Sequence, residues 1–502
     1  MAENSEYHDR LQKLNLIREA KVNPFAYGYD RTHTAADALA LGKKGKLRDV
    51  EKIIKSKAKK TMKLCGRVMT SRVHGKLSFA NLMDVSGQIQ ICFMHDLMGK
   101  DDYKFAIKKV DMADFVGVEG ELFETRHGEI TLLVYKLELL SKALRPLPEK
   151  WHGLKDDELR YRKRYLDLIM NPEVKEIFVK RAKIYKAIRE FLDEKGFMEV
   201  HTPILQTQYG GANARPFVTN INAWDMPMYL RIAYELHLKR LMVGGFEKVY
   251  DLSSCFRNEG VDQTHNPEFA MMELQWAYAD YNNMMEITEQ LFEYVAKKVF
   301  GSTVIDYRGT KIDVKAPWKR LTVKAGLKKY AKIDVDKLTD KQLLAAAKKN
   351  KIEIKGNPVR GDLISLLFEE LCEDKLIQPT HVIDHPIESC PLSKPHRKDP
   401  TLIERVEPYI NGWEFGNGYS ELTDPVMQRK HFEEQVEKGR GGDEESHPMD
   451  EDFVEALEHG LPPNAGMGIG IERMIMLLTA QEGIRDILLF PTMKPIEDKN
   501  NG

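Results

Sequence analysis

Residues 249–279 read VYDLSSCFRNEGVDQTHNPEFAMMELQWAYA. Two runs of strand-forming residues, VYDLSSCFR and FAMMELQWAYA, flank a short loop that ends in His265-Asn266-Pro267-Glu268-Phe269. The pattern predicts a hairpin with Arg257 at the end of one strand and Phe269 on the returning one. A guanidinium placed there suits a phosphate, and the ring suits the face of a purine. An ordinary salt bridge within the hairpin explains the same string.

Further along the chain lie three more groups of chemistry-bearing residues. AGMGIGIERMIMLLTAQEGI (465–484) predicts a glycine turn followed by an apolar helix that Arg473 opens. Glu407 and Glu414 stand seven apart in ERVEPYINGWEF, and two carboxylates suit Mg²⁺ together with phosphate oxygens. A solvated pair is the plainer alternative. Glu235, Glu273 and Glu421 sit in apolar, strand-like surroundings, the last within Asn417-Gly418-Tyr419-Ser420-Glu421-Leu422. Burying a carboxylate costs several kcal/mol unless a cation meets it. A cationic substrate or a structural Arg or Lys meets that need equally well. There is no GxxxxGK[ST] loop, and Gly466-x-Gly468-x-Gly470 lacks the strand–helix–strand unit of a dinucleotide turn.

Toward the N-terminus, Asn171-Pro172-Glu173 predicts a capped helix start. Val174, Ile177, Phe178, Ile184, Tyr185, Ile188 and Leu192 continue it at helical period, and Gly196 closes it. Between Met62 and Ser141 five short strand-like runs alternate with turns at His74-Gly75, Ser86-Gly87 and His127-Gly128, which predicts a small barrel of oligonucleotide-binding type. ALRPLPEKWHGLKDDELRYRKRYLDL then reads as a linker, residues 320–375 as a helical insertion without a chemical motif, and 442–452 as an acidic solvated loop.

Composition narrows the classes. The 502 residues carry 76 Lys and Arg against 77 Asp and Glu, a net charge of 76 − 77 = −1, which excludes a globally basic nucleic-acid coat. From Lys43 to Lys63, however, ten basic residues face two acids, an excess of 10 − 2 = +8, read as a solvated face or as a phosphate-contacting one. The five cysteines are scattered with no CxxC pair, which argues against a zinc knuckle or a disulfide framework and for a reducing compartment. The polar N-terminus lacks the pattern of a secretory signal, and no apolar run nears the ~18 residues of a membrane span.

Assembled in order, GFMEVHTP (196–203), FRNEG with HNPEF, and GIGIER resemble motifs 1, 2 and 3 of the class II aminoacyl-tRNA synthetases. GGANARPF, NPEFAMMEL, AYADY, DHPIESCPLSKPHR, GYSELTDP and LLFPTMKP, with the barrel and the stretch after it, are similar to class IIb lysyl-tRNA synthetases, over about residues 60–495. The resemblance implies an α+β multidomain chain. Residues 1–60 would be a basic helical extension, 61–145 a five-stranded OB-type anticodon-binding barrel, 146–172 a linker, and 173–497 a catalytic domain built on an antiparallel sheet with flanking helices.

It further implies ATP-dependent charging of tRNA(Lys) with L-lysine through a lysyl-adenylate, in a cytoplasmic homodimer that uses Mg²⁺ and no membrane. Arg257 and Arg473 would be catalytic. Arg257, Glu259, His265, Asn266, Phe269, Glu407 and Arg473 would bind ATP, with Glu407 and Glu414 at the metal. Gly211, Glu235, Glu273, Gln275, Asn417, Tyr419 and Glu421 would form the lysine pocket, Glu421 at the ε-ammonium and Glu235 and Glu273 nearer the α-ammonium. Phe79, Gln90 and Glu129 would read the anticodon. The family usually has tyrosine at position 275, where the phenol helps hold the ε-ammonium; the Gln275 carbonyl is expected to accept the same bond. The alternatives are an aspartate or asparagine ligase, a protein-lysylating paralogue, and a catalytically silent RNA-binding paralogue.

Overall fold

The computed structural model describes residues 2–45, 47–56, 60–148, 154–354, 356, 358–440 and 448–496. The chain divides into two compact units, Met1–Gly153 and Leu154–Gly502.

In the first unit, β1 (Met62–His74), β2 (Leu77–Asp84), β3 (Gly87–Met94), β4 (Phe115–Glu124) and β5 (Ile130–Ser141) close a barrel in the order β1-β2-β3-β5-β4. The β1–β2 turn needs the φ of 61° at Gly75, a left-handed conformation that costs a residue with a Cβ roughly 1–2 kcal/mol. Leu64, Val68, Leu82, Ile91, Val116, Val118, Leu132 and Val134 fill the interior. Helix α1 (Ala2–Glu19) is tied to this unit by Arg10, whose Nη1 donates to the Met112 carbonyl at 2.8 Å. Part of the basic stretch is spoken for: Arg48 Nε donates to Glu121 Oε1 at 2.6 Å, and the buried Glu121 also accepts from the Tyr135 hydroxyl. Lys43, Lys44, Lys52, Lys55 and Lys60 are exposed; Lys46, Lys57 and Lys59 lie outside the described residues.

The second unit is built on a sheet formed by β6 (Met198–Glu199), β7 (Lys248–Phe256), β8 (Glu268–Ala277), β9 (Lys319–Thr322), β10 (Thr380–Pro386), β11 (Leu402–Ile410), β12 (Trp413–Glu414), β13 (Gly416–Ser420) and β14 (Asn464–Gly470). The order is β9-β10-β11-β13-β14-β8-β7-β6, with β12 paired to β11. Its middle is antiparallel; only the β9–β10 and β7–β6 pairs are parallel. Helices α2 (Pro172–Glu194) and α4 (Tyr281–Phe300), with α6 (Ile471–Leu478), bury Ile184, Ile188, Phe191, Leu291, Phe292, Val295, Met474 and Ile475 against one face of it. Helix α3 (Glu235–Val243) and helix α5 (Arg360–Cys372) belong to other clusters, α5 to a small core of the 320–375 insertion that includes Leu343, Leu363, Leu367 and Phe368.

Four local expectations differ from the structure. Gly466, Gly468 and Gly470 lie in strand β14, not in a turn, because Ala465, Met467 and Ile469 between them are buried in the core and hold the segment extended. Asn171 precedes α2 but does not cap it; its Nδ2 donates instead to Asp167 Oδ1 at 2.6 Å. Within the expected linker, Asp157–Arg162 and Arg164–Met170 are short helices, and Arg164 is buried between Asp167 and the carbonyls of Arg485 and Leu488. Its charges satisfy one another, so a polar composition does not mean a solvated chain. In the acidic 442–452 stretch, residues 442–447 lie outside the described residues, while Asp450 and Asp452 pair with Arg240 at 3.0 and 2.7 Å.

Candidate active site

Side chains alternate across a strand, and β8 shows what this does. Met272 and Leu274 are buried in the core, whereas Met271, Glu273 and Gln275 face a cavity on the other side of the sheet. On β14 the cavity face is Gly466, Gly468 and Gly470. At Gly466 the position is bare because the space is taken: a Cβ there would lie 2.2 Å from Gln275 Nε2 and 2.5 Å from Glu421 Oε1. Beside them β13 contributes Asn417 and Tyr419.

The cavity holds about 480 Å³. It gathers Gly211, Glu235, Arg257, Glu259, His265, Asn266, Phe269, Glu273, Gln275, Glu414, Asn417, Tyr419, Glu421 and Arg473 from across the second unit; Glu407 stands behind them, off its lining. One end is acidic and the other rich in arginine.

At the acidic end Glu235 opens α3 and is not on a strand. Its Oε1 accepts from the Tyr419 hydroxyl at 2.5 Å and from Lys239 Nζ at 2.6 Å. Lys239, one helical turn on, is fully buried and also lies 2.5 Å from Glu421 Oε2. Burial would lower the Lys239 ammonium's pKa, but Glu235 and Glu421 more than reverse that and hold it charged. Burial pushes the Glu421 carboxyl up to about 8, with Lys239 pulling it down and Glu235 adding to the rise. Glu273 is raised well above the carboxylate range by burial and by Glu235, and its Oε2 has no hydrogen-bond partner.

Gln275 is turned opposite to expectation. Its carbonyl accepts from Asn464 Nδ2 at 2.7 Å, and its amide donates to Glu421 Oε1 at 2.7 Å. Its amide is thus taken up by Glu421 and its carbonyl by Asn464.

At the other end the Arg257 guanidinium lies 5.1 Å from the centroid of the Phe269 ring, and its Nε is buried without a partner. Arg473 Nη1 donates to the Glu414 carbonyl and lies 3.9 Å from that residue's carboxylate. Glu414 is pushed upward by burial and by Glu407, whereas Glu407 is pulled down, against burial, chiefly by Arg405 at 2.5 Å. Arg405 also holds the Asn417 side-chain carbonyl at 2.8 Å. Asn266 bridges Glu268 and Thr492, Glu259 accepts from the Arg215 amide, and exposed His265 pairs with Asp262 at 2.8 Å. Gly211 has a φ of 85° and packs its α-carbon toward Glu235 and Ala233.

Sequence reasoning missed Lys239, Arg405, Asn464 and Glu373. The last comes from the insertion: Tyr409 Oη lies 2.6 Å from Glu373 Oε1 and 3.1 Å from Glu407 Oε2. Only Lys239 had a sequence signal, the i, i+4 spacing from Glu235.

In the first unit Phe79, Gln90 and Glu129 come together on the outer face of the barrel. Gln90 Nε2 donates to Glu129 Oε2 at 2.8 Å. Phe79, opposite Cys92 in the ladder, is half-buried against the cluster of Ile53, Cys92, Phe123 and Leu133.

The sequence profile of the class II tRNA synthetases (D, K and N) matches residues 156–494, and that of an OB-fold nucleic acid binding domain matches residues 62–140. Barrel, sheet and cavity thus define a class II tRNA synthetase. Its relatives include the lysine–tRNA ligase of Thermoanaerobacter pseudethanolicus, 51% identical over 97% of this chain and 96% of the relative. Those of Carboxydothermus hydrogenoformans, 49% identical over 97% of each chain, and Clostridium novyi, 49% identical over 98% of this chain and 95% of the relative, are similar. The chain belongs to the lysine–tRNA ligase family.

The tightness of the acidic end can be measured. Gly466→Ala drives a methyl group into Gln275 and Glu421 and should lower stability by about 1–3 kcal/mol. Gly468→Ala meets Glu273 Cγ at 3.4 Å and the Asn417 carbonyl at 3.8 Å, both ordinary contacts, and should cost clearly less. Equal denaturant midpoints for the two variants would mean that Gln275 and Glu421 are not fixed as described.

Proposed function

We infer that the protein joins L-lysine to tRNA(Lys) at the expense of ATP, through a lysyl-adenylate. The observation that carries this is a single cavity with three carboxylates, Glu235, Glu273 and Glu421, at one end and Arg257, Phe269 and Arg473 at the other. A substrate with two ammonium groups fits the first end, and an adenine nucleotide fits the second. Identity of about 50% to lysine–tRNA ligases along nearly the whole chain supports it. An aspartate or asparagine pocket would need cations where these glutamates stand. A silent paralogue would have no use for Arg257, Glu407, Glu414 and Arg473 in one place.

In this reading Arg257 binds the lysine carboxylate and the α-phosphate, drawing the two reactants together. A carboxylate oxygen attacks the α-phosphorus in line, the bond to the bridging oxygen breaks, and pyrophosphate leaves. Arg473 stabilises the departing charge and covers one face of the adenine, while Phe269 stacks on the other. Glu259, His265 and Asn266 hold the nucleotide's amino group and phosphates. The tRNA 3′-terminal ribose hydroxyl then attacks the lysyl carbonyl and AMP leaves. Catalysis is positioning and charge neutralisation, with no side-chain nucleophile.

Glu407 and Glu414 fit Mg²⁺. They are hard oxygen donors beside the arginine-rich end, and Glu414 is left with an upward-shifted carboxyl that a cation would relieve. Held there by Glu407 and Glu414, Mg²⁺ would supply positive charge against the nucleotide's phosphates.

The reading extends to a cytoplasmic homodimer. Met198, Ile204 and Leu205, in and just after the motif 1 stretch, leave nearly half of their surface exposed, which suits an apolar two-fold contact. Among the described residues no helix is long and apolar enough to cross a membrane. Light scattering should give twice the chain mass of 57.8 kDa; an active species at the single-chain mass would refute the dimer.

Amino-acid-dependent ATP–pyrophosphate exchange is the direct test, with lysine alone of the standard amino acids giving full exchange. Glu421 takes up an ammonium only as a carboxylate. Because its pKa is raised to about 8, kcat/KM for lysine should climb as pH rises through that value. It should level off or fall only where lysine's own ammonium groups deprotonate. Glu421→Gln should abolish this limb and raise the lysine KM roughly 10- to 100-fold, with ATP little affected. A near-normal lysine KM in the variant would remove Glu421 from the pocket.

The barrel face of Phe79, Gln90 and Glu129 is the proposed anticodon reader, with Phe79 stacking on a base. Phe79→Ala removes a contact worth about 1–3 kcal/mol and should raise the tRNA KM roughly 5- to 150-fold. Lysine-dependent exchange without tRNA should stay normal. Equal damage to both reactions would make Phe79 a packing residue only.

A further inference from the structure

We infer that Lys239 is a positioning residue of the lysine pocket: its ammonium, clamped between Glu235 and Glu421, is a resident counter-charge that fixes both carboxylates and tunes the pocket to lysine's two ammonium groups. The inference rests on the reading of the acidic end as the lysine site.

Without Lys239 the acidic end would hold three carboxylates, Glu235, Glu273 and Glu421, in a largely buried space. Counted as fully ionised, the three carboxylates and this one ammonium sum to −3 + 1 = −2, the charge that two substrate ammonium groups would cancel. Lys239 cannot leave this post. Its side chain is 0% exposed, with Nζ 5.4 Å from the centroid of the Tyr419 ring and 5.9 Å from that of Phe453, and 2.6 and 2.5 Å from its two acidic partners.

Glu421 is gripped from the other side as well, by the Gln275 amide that Asn464 in turn holds. Asn464, Gln275, Glu421, Lys239, Glu235 and Tyr419 thus form one buried chain, and the orientation of each carboxylate depends on the ammonium at its centre. Orientation is what an incoming ε-ammonium reads, because a carboxylate free to turn away loses a charge-assisted bond.

The titratable groups facing Lys239 are Glu235 on its own helix, Tyr419 and Glu421 across the pocket, and Cys390 nearby, with Glu273 facing Glu235 in turn. Removing the ammonium takes away the charge that pulls Glu421 down; burial and the like charge of Glu235 then favour its protonation, opposed by the Gln275 hydrogen bond.

The test uses the full-length enzyme and Lys239→Met, which keeps length and loses charge. Lysine and ATP KM values come from ATP–pyrophosphate exchange between about pH 6 and 9, and proton release on lysine binding from calorimetry in two buffers. The lysine KM at neutral pH should rise roughly 10- to 100-fold and the ATP KM by less than about twofold. The rising limb of the lysine pH profile should move to higher pH, and each lysine bound should release more protons than in the wild type. Lys239→Arg keeps the charge and should keep the limb where the wild type has it, whatever its KM.

If Lys239→Met leaves the limb and the proton release unmoved, or changes both KM values alike, Lys239 is a structural tie and the inference falls. If that variant does not fold, Lys239→Arg decides: a limb shifted by more than about one pH unit overturns the proposal, and an unshifted one supports it. A wild-type enzyme without lysine-dependent exchange would instead refute the underlying reading of the site.

Discussion

A strand residue can serve only one face of its sheet, and the catalytic unit is organised by that constraint. On β8 the even-numbered Met272 and Leu274 anchor the strand in the core under α2, α4 and α6. The odd-numbered Glu273 and Gln275 are thereby aimed into the cavity without rotamers of their own choosing. Strand β14 obeys the same rule with the opposite content: Ala465, Met467 and Ile469 hold it in the core, and glycines on the other face leave room for what β8 and β13 project. The apolar face therefore stabilises the domain and preorganises the charged one. An electrostatic site gains most from such rigidity, because its dipoles then need no reorganisation when substrate arrives.

That arrangement concentrates charge where water is scarce, and each end of the cavity answers with resident groups of the opposite sign. Lys239 stands against Glu235 and Glu421; Arg405 stands against Glu407, and Arg473 beside Glu414. The compensation is incomplete at both ends. Glu273 keeps an oxygen without a partner, and Arg257 keeps a buried nitrogen without one. Each such group costs about 1–3 kcal/mol while it lacks a partner. They are complementary to an ammonium at one end and to an anionic oxygen at the other.

The legibility of this design in the sequence followed the range of the interactions involved. The barrel was readable because its strands are sequential and its turns carry Gly75, Gly87 and Gly128, all local signals. The hairpin of Arg257 and Phe269 was readable for the same reason, and the resemblance of separate strings joined the pieces. Lys239 was not singled out, because in ELHLKRLMV a lysine looks like any polar residue of an amphipathic helix; only the packing of Phe453 and Tyr419 around it turns it inward. Glu373 was hidden in an insertion that looked chemically empty, and reaches Glu407 only through Tyr409. The role of Gln275 was inverted because its partner Asn464 is 189 residues away, and an amide's direction is decided by its neighbours. The glycines of 466–470 read as a turn because glycine usually marks one; here they lie in a strand, and Gly466 marks a close approach.

The same charge balance explains how a pocket can choose lysine over a neutral side chain of equal length. With substrate absent, burial and mutual repulsion favour protons on Glu273 and Glu421, whose carboxyls are both shifted upward. On the proposed reading of the site, lysine would replace those protons with two ammonium groups, against which the carboxylates would be fully ionised. A neutral side chain such as that of norleucine brings one ammonium and leaves Glu421 either protonated or charged and uncompensated. Either outcome forfeits the charge-assisted bond, so discrimination comes from the unfavourable state of the wrong complex as much as from the favourable state of the right one. Gln275 contributes by holding Glu421 in place, its amide already committed to that carboxyl.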